Sequence, residues 1–366
     1  MYKSFRVENF RCFKDLQIND LGRVNLIAGK NNTGKTALLE AMYLHTRPLS
    51  PKAILDLQDV RGIQRPAGSL SVYWRQLFYD MDSALKIDIA GNEDVEFENH
   101  TLEITEYLNN RDTYGYVYGW YDHWLASRVI RDLSPSSVAE SVDVFLRFSL
   151  EQSKYLSYSN DTLVASDQKI PIFPNDEYNR KSRIVPTQGR PDEDSVRRQF
   201  SHIDSAGNLD YVIEFLQAFE PRLEDLRLTE PYGITMLSGR VNSKLIPLRL
   251  MGDGINSVCH FVLTMMADEL DYIFIDEIEN GIHYSVQKDV WKAIGQVARD
   301  LNIQVFATTH SLEMIKAANC AFRDDDVDDF RFHRLYRDST TGKIEARTYN
   351  EYSIEAAISR DREVRG

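Results

Sequence analysis

The chain opens on an alternating pattern. Phe5, Val7 and Phe10 sit among polar residues, and after a turn Leu16 and Ile18 repeat the alternation. A period of two predicts an antiparallel pair of strands. Val24 to Ala28 predicts a short buried strand, and a helical run, ALLEAMYLH, follows until Pro48 and Pro51 end it. From about residue 70 to 160 the runs SLSVYW, LKIDIAG, VEFENHTLEIT, YGYVYGWY and VDVFLRFSL are strand-like and punctuated by Asn, Asp and Gly, which predicts an antiparallel β-rich layer. Residues 160 to 205 are polar and carry no readable period. Asp210 to Phe219 has helical spacing, and ITMLSGRVNSKLIPLRL predicts a β-hairpin around Gly239. From Met251 onward, helical runs alternate with the short apolar strands YIFID and IQVFATT, the pattern of parallel βαβ units. The tail RFHRLYRDSTTGKIEARTYN predicts a closing hairpin around Thr341 and Gly342.

Composition narrows the classes. With 366 residues, 43 % of them hydrophobic, the chain can bury a large core, so one big domain with an insertion or two domains is expected. No apolar run reaches the roughly 18 residues of a membrane span. No apolar stretch follows the N-terminal charges, so neither a signal peptide nor a membrane partner is expected. Cys12, Cys259 and Cys320 are few and far apart, which fits a reducing cytoplasm better than a disulfide or zinc framework. The net charge of −13 opposes a surface that coats nucleic acid throughout, although it leaves room for one basic groove.

The candidate chemistry begins at Gly29-Lys30-Asn31-Asn32-Thr33-Gly34-Lys35-Thr36, followed by Ala37 at the helix start. Every defined position of G-x-x-x-x-G-K-[ST] is matched, with a strand before and a helix after. Glycines at these positions let backbone N–H groups turn toward phosphate oxygens. Lys35 reaches the β- and γ-phosphates, and the Thr36 hydroxyl is placed for Mg²⁺. The helix start adds its positive end. Asp276 stands at the carboxyl end of YIFID, where ligands bind parallel sheets, and can share Mg²⁺ with Thr36. Glu277 can orient and deprotonate an attacking water. His310, after the next strand, can donate to a γ-phosphate oxygen. In the other reading of that segment Thr309 or Ser311 caps the following helix and His310 is incidental. ATP and Mg²⁺ are thus the expected cofactors, with Glu277, His310 and Lys35 the expected catalytic groups.

A P-loop, a long insertion, an apolar strand ending in Asp-Glu, then Thr-Thr-His-Ser is the order of ABC-type ATPase heads. The chain resembles the SMC/RecF/OLD branch of that class, with ENFRCF a familiar opening. It is most similar to OLD-type AAA-like ATPases of prokaryotic anti-phage defence systems. The resemblance implies one ABC-type head over residues 1–366: an α/β P-loop fold with a parallel core sheet, an antiparallel β layer and a helical or irregular insertion. Residues 1–160 would form the P-loop lobe, 161–250 the insertion and 251–366 the C-terminal lobe. It also implies a homodimer, or a higher homo-oligomer, closed around ATP. Leu250-Met251-Gly252-Asp253-Gly254 is then the signature loop, with Gly252, Asp253 and Gly254 facing nucleotide. Met251 departs from the serine expected there, and a plain Gly-rich helix entry is the competing reading. Glu279 to His283 takes the D-loop position. Gln76 is chosen over Gln58 and Gln64 as the Q-loop residue.

OLD nucleases carry a TOPRIM domain of roughly 100 residues. Only 56 residues follow His310 here, so Asp324 to Asp329 is read as a solvated turn and any nuclease is expected in trans. A role in DNA repair like that of RecF, and an ATP-dependent scaffold with little hydrolysis, are the alternatives to a defence regulator. The basic residues Arg180, Lys181, Arg183, Arg190, Arg197 and Arg198 could carry phosphate contacts, but a solvated linker face is favoured.

Overall fold

The computed structural model describes residues 1–48, 50, 53–54, 56–57, 61, 75–93, 99–108, 144–152, 157–158, 180–185, 193–217, 219–230, 233–325, 327–350 and 353–355. The strands are β1 (Tyr2–Phe10), β2 (Phe13–Asn19), β3 (Val24–Gly29), β4 (Ile87–Glu93), β5 (Asn99–Leu108), β6 (Val144–Gln152), β7 (Ser157–Tyr158) and β8 (Ser182–Val185). They continue with β9 (Leu223–Thr229), β10 (Met236–Val241), β11 (Lys244–Pro247), β12 (Tyr272–Ile275), β13 (Gln304–Thr309), β14 (Phe330–Arg337) and β15 (Ile344–Tyr349). The helices are α1 (Lys35–Thr46), α2 (Glu193–Ser205), α3 (Leu209–Gln217), α4 (Leu248–Met251), α5 (Asp253–Ala267), α6 (Gln287–Asp300) and α7 (Leu312–Asp325). No helix among the described residues is long and apolar enough to cross a membrane.

Two compact units divide the chain, Met1–Ser4 with Ile18–Tyr43 and Arg180–Gly366 in one, and Phe5–Gln17 with Leu44–Asn179 in the other. The second unit holds most of an antiparallel layer ordered β2-β1-β4-β5-β6-β7. Strands β4, β5 and β6 fall on the runs whose alternation predicted them, whereas SLSVYW and YGYVYGWY lie outside the described residues.

The first unit is built on a sheet ordered β15-β14-β3-β13-β12-β8, with β14, β3, β13, β12 and β8 mutually parallel. Strands β3, β12 and β13 are buried along their whole length, as flanked parallel strands must be. One face packs aromatic on aromatic: Tyr2 stacks on Tyr272 at 4.8 Å, Phe274 on Phe306 at 5.6 Å, and Tyr43 of α1 meets Phe274 edge-on. On the other side Phe330 lies parallel to Phe322 of α7 at 4.7 Å, with Trp291 of α6 tilted against both. The α/β P-loop architecture with an antiparallel layer is the one the motif order implied.

Three local readings need correction. The hairpin turn falls at Asn242 and Ser243, both at positive φ (50° and 62°), and not at Gly239. Positive φ at both central positions suits a tight two-residue hairpin turn. Gly239 instead lies inside β10, where a Cβ would come within 2.6 Å of the Leu223 side chain, so its smallness serves packing. Strand β8 comes from the stretch without a readable period and pairs with β12 from Tyr272 to Ile275. The C-terminal hairpin forms as expected, but β14 also runs parallel to β3 and so extends the core sheet.

A buried Asn in β3 shows how that extension is tied in. Asn25 donates to the carbonyls of Gly22 (2.8 Å) and Val305 (3.2 Å), and its Oδ1 lies 3.2 Å from Nε2 of His333 on β14. His333 is wholly buried, and its Nδ1 meets the Thr348 hydroxyl at 3.0 Å. Burial pushes its pKa down to about 3. The native state therefore keeps this imidazole neutral, while the unfolded chain protonates near pH 6.5. The stability it contributes is complete above pH 6.5 and is lost as pH falls from there toward 3. Going from pH 7 to pH 5 should lower the unfolding free energy by about 2 kcal/mol through this group. Urea unfolding at both pH values checks this, and His333→Gln should flatten that part of the slope.

Candidate functional site

The loop between β3 and α1 exposes its tip, Lys30 to Asn32, and buries its shoulder, Thr33 and Lys35. Asn32 and Gly34 take positive φ (64° and 86°), which turns the backbone back on itself before α1 begins with Leu38 N–H donating to Gly34 O at 2.9 Å. A Cβ on Gly29 would lie 2.5 Å from the Leu335 carbonyl and 2.6 Å from Thr33 Oγ1, so the cradle closes only around glycine. Lys35 is 6 % exposed, and its ammonium donates to the carbonyls of Gly29 (2.8 Å) and Lys30 (3.1 Å). Burial lowers its pKa, against the opposing pull of Asp276, Glu277 and Glu279. A desolvated ammonium held by neutral carbonyls gains most from an arriving anion. Ala37 is buried in the first turn of α1.

Strand ends bring the acids to this loop. Thr36 Oγ1 donates to Asp276 Oδ2 at 2.9 Å across 240 residues of sequence. Thr308, at the end of β13, donates from its hydroxyl to Asp276 Oδ1 at 2.5 Å, and Thr308 Oγ1 in turn accepts the Glu277 N–H at 2.8 Å. Glu277 sits at φ 48°, an uncommon conformation for a residue with a Cβ. Its carboxylate accepts from Asn280 Nδ2 at 3.0 Å and lies 3.7 Å from His310 Nε2, with both side chains about one-third exposed. The His310 N–H donates to Glu279 Oε1 at 2.6 Å. Ser311 caps α7, its Oγ accepting from Met314 N–H at 3.1 Å. The cap and the His310 placement, offered by the sequence as alternatives, therefore coexist.

Lys35, Thr36, Asp276, Glu277 and His310 thus converge at one sheet edge. Sequence reasoning missed three partners there: Thr308, Glu279 and Asn280. The sequence puts Glu279 and Asn280 at the D-loop position and not among the site residues, and Thr308 is less conspicuous than nearby His310. Gly252 (φ 126°, ψ 147°) leads into α5, and a Cβ on Gly254 would lie 3.1 Å from the Gly281 carbonyl, so this loop packs on the Glu279–His283 turn. The Asp253 side chain lies outside the described residues. Gln76 stands in a turn of the second unit, next to the isolated bridge between Phe10 and Phe78, while Gln58 and Gln64 lie outside the described residues.

The basic stretch pairs locally: Arg183 with Asp268 (2.5 Å), Lys181 with Glu269 (2.6 Å) and Arg197 with Asp194. Arg190 lies outside the described residues. The acidic run is not simply a solvated turn. Asp324 belongs to α7 and pairs with Lys288 at 2.6 Å, and half-buried Asp329 pairs with Arg299 at 3.2 Å. The Asp329 carbonyl also accepts the Val24 N–H at 2.9 Å, and burial raises the pKa of its carboxyl group. Asp326 lies outside the described residues.

The donor set fits a nucleoside triphosphate with a divalent cation. It offers a cradle too narrow for a Cβ, a buried ammonium, and a hydroxyl–carboxylate pair at its side. A Helicobacter pylori protein named "ATP/GTP phosphatase" is 26 % identical over 351 residues, 89 % of this chain and 90 % of that protein. The DNA replication and repair protein RecF of Clostridioides difficile is 39 % identical over 59 residues, 16 % of each chain. The SMC head domain from Thermotoga maritima aligns with a TM-score of 0.48 at 12 % identity, covering 95 % of this chain and 98 % of that one. The AAA ATPase domain family matches residues 1–184 and 140–315, a span that includes every residue converging at the sheet edge. The chain therefore belongs to the AAA ATPase domain family, and it is a P-loop ATPase.

Proposed function

We propose that this chain binds ATP with Mg²⁺, hydrolyses it, and uses its nucleotide state to regulate a cytoplasmic anti-phage defence complex whose effector, a nuclease, is supplied in trans. The observation that carries the enzymatic part is the Thr36–Asp276–Thr308 hydrogen-bond chain beside buried Lys35, with Glu277 and His310 at its open end. Lys35 exchanges its two carbonyl partners for phosphate oxygens. Thr36 and Asp276 would hold Mg²⁺, which supplies charge neutralisation of the phosphates when bound. Glu277 accepts the proton of the attacking water, and His310 donates to the γ-phosphate.

The regulatory part rests on the resemblance to OLD-type ATPases and on the reading that two subunits close around ATP through the Gly252–Gly254 loop. A separate effector is supported by the pairing of Asp324 with Lys288 and of Asp329 with Arg299, which commits these carboxylates to the protein itself. A second reading, an ATPase acting on DNA in repair, draws on the 59-residue similarity to RecF. Phosphate release by the purified chain, with and without DNA, tests the assignment. Modest turnover indifferent to DNA is expected; strong stimulation by DNA would favour the repair reading, and negligible turnover a scaffold. The chain alone should leave plasmid and RNA intact in Mg²⁺ or Mn²⁺.

A further inference from the structure

We infer that Thr308 is a positioning residue of the ATPase site, whose single hydroxyl sets both the carboxylate plane of Asp276 and the backbone of Glu277. This rests on the ATPase reading above and assigns a role to a residue that the motifs leave out. Thr308 is fully buried at the carboxyl end of β13, so solvent does not compete for its hydroxyl. A threonine hydroxyl has one proton to give. Here it goes to Asp276 Oδ1 at 2.5 Å, and the 2.8 Å contact with Glu277 is the Glu277 N–H donating to Thr308 Oγ1. The direction of every bond in the chain follows. Asp276 accepts from Thr308 at Oδ1 and from Thr36 at Oδ2, and both of its oxygens are fixed by hydroxyls from different elements. Thr36 has given away its proton and keeps its lone pairs for a cation.

The second consequence concerns Glu277. Its φ of 48° is an uncommon conformation for a residue with a Cβ, and it persists only where the surroundings over-determine it. Thr308 supplies two of those determinants. Its hydroxyl holds the Glu277 N–H, and its carbonyl accepts the Ile278 N–H at 3.0 Å. The next N–H but one, that of Asn280, closes the turn on the Glu277 carbonyl at 3.0 Å. Removing the hydroxyl alone frees the first peptide of this turn and one oxygen of Asp276, while strand β13 keeps its ladder.

Thr308→Val is nearly isosteric and tests the role. Turnover should fall roughly 10- to 100-fold, the usual effect of losing a partner that orients a metal-binding carboxylate. The concentration of Mg²⁺ needed for half-maximal turnover should rise, while KM for ATP moves little. A readout that does not depend on turnover is Mn²⁺ binding followed by electron paramagnetic resonance in the presence of a non-hydrolysable ATP analogue. The analogue-dependent Mn²⁺ signal should weaken in Thr308→Val and return in Thr308→Ser, which restores the hydroxyl. Wild-type Mn²⁺ binding and turnover in Thr308→Val would overturn the inference, as would a Thr308→Ser variant no better than Thr308→Val. If Thr308→Val does not fold, Thr308→Ala is measured in its place: a weakened analogue-dependent Mn²⁺ signal and slower turnover are expected, and wild-type values would overturn the inference. Lys35→Ala is measured alongside. If that variant keeps full nucleotide affinity, the ATPase site itself is misassigned; if it loses affinity while Thr308→Val behaves as wild type, only the positioning role fails.

Discussion

Glu277→Gln should leave ATP bound and almost unhydrolysed, with turnover reduced about 10²- to 10⁴-fold, the range expected when a general base is removed. The physical reason is narrow. The Glu277 side chain is about one-third exposed, so water reaches it, and His310 Nε2 stands 3.7 Å from Oε1 on the same side. An amide cannot accept the water's proton. It can keep the contact with Asn280, because the Gln oxygen accepts from Asn280 Nδ2 as the carboxylate does. The backbone of residue 277 is set by Thr308, not by the side chain, so the variant should fold as wild type. Phosphate release and nucleotide retention measured on one preparation check both halves. Turnover within a few-fold of wild type would remove Glu277 from the reaction. If two subunits close around ATP, the nucleotide trapped in this variant should also shift the population toward the larger species in light scattering.

Lys35→Ala should weaken ATP binding by roughly 2 kcal/mol or more, about 30-fold, as expected for losing a charge-assisted bond inside a buried cradle. Lys35 is 6 % exposed, and its burial lowers its pKa. It therefore gives phosphate an interaction that a hydrated surface lysine cannot. The Asp276, Glu277 and Glu279 carboxylates remain in the variant and now repel the triphosphate uncompensated, which adds to the loss. Titration with a fluorescent ATP analogue measures it, and an unchanged affinity would refute the phosphate assignment. Circular dichroism on the same samples separates lost binding from lost folding, since the Gly29 and Lys30 carbonyls also lose the Lys35 ammonium, although the Lys30 carbonyl keeps the Thr33 hydroxyl.

The site was legible where its chemistry depends on sequence-local spacing. The loop from Gly29 to Thr36 and the acid pair ending YIFIDE sit within a few residues of the strands that present them, so motif and flank coincide. What escaped notice depends on partners far along the chain. Thr308 is one of two adjacent threonines, and its hydroxyl acquires meaning only because β13 lies beside β12, which leads directly into Asp276, 32 residues earlier. Strand β8 hides for a similar reason. Ser182 and Ile184 are its two buried positions, one polar, and its partner β12 starts 90 residues later. Asp329 was lost in an acidic run because charge density suggests solvent, whereas its half-buried carboxylate is matched by Arg299. At the β10–β11 hairpin, the sequence points to Gly239 as the turn former. Asn242 and Ser243 adopt positive φ there, and the glycine is needed in the strand.

The most direct test of the central claim is a crystal structure of the chain with a non-hydrolysable ATP analogue and Mg²⁺. The triphosphate should lie in the Gly29–Thr36 cradle, with Lys35 Nζ moved from the Gly29 and Lys30 carbonyls onto phosphate oxygens and the cation beside Thr36 and Asp276. A nucleotide bound elsewhere, with Lys35 still donating to those two carbonyls, would contradict it.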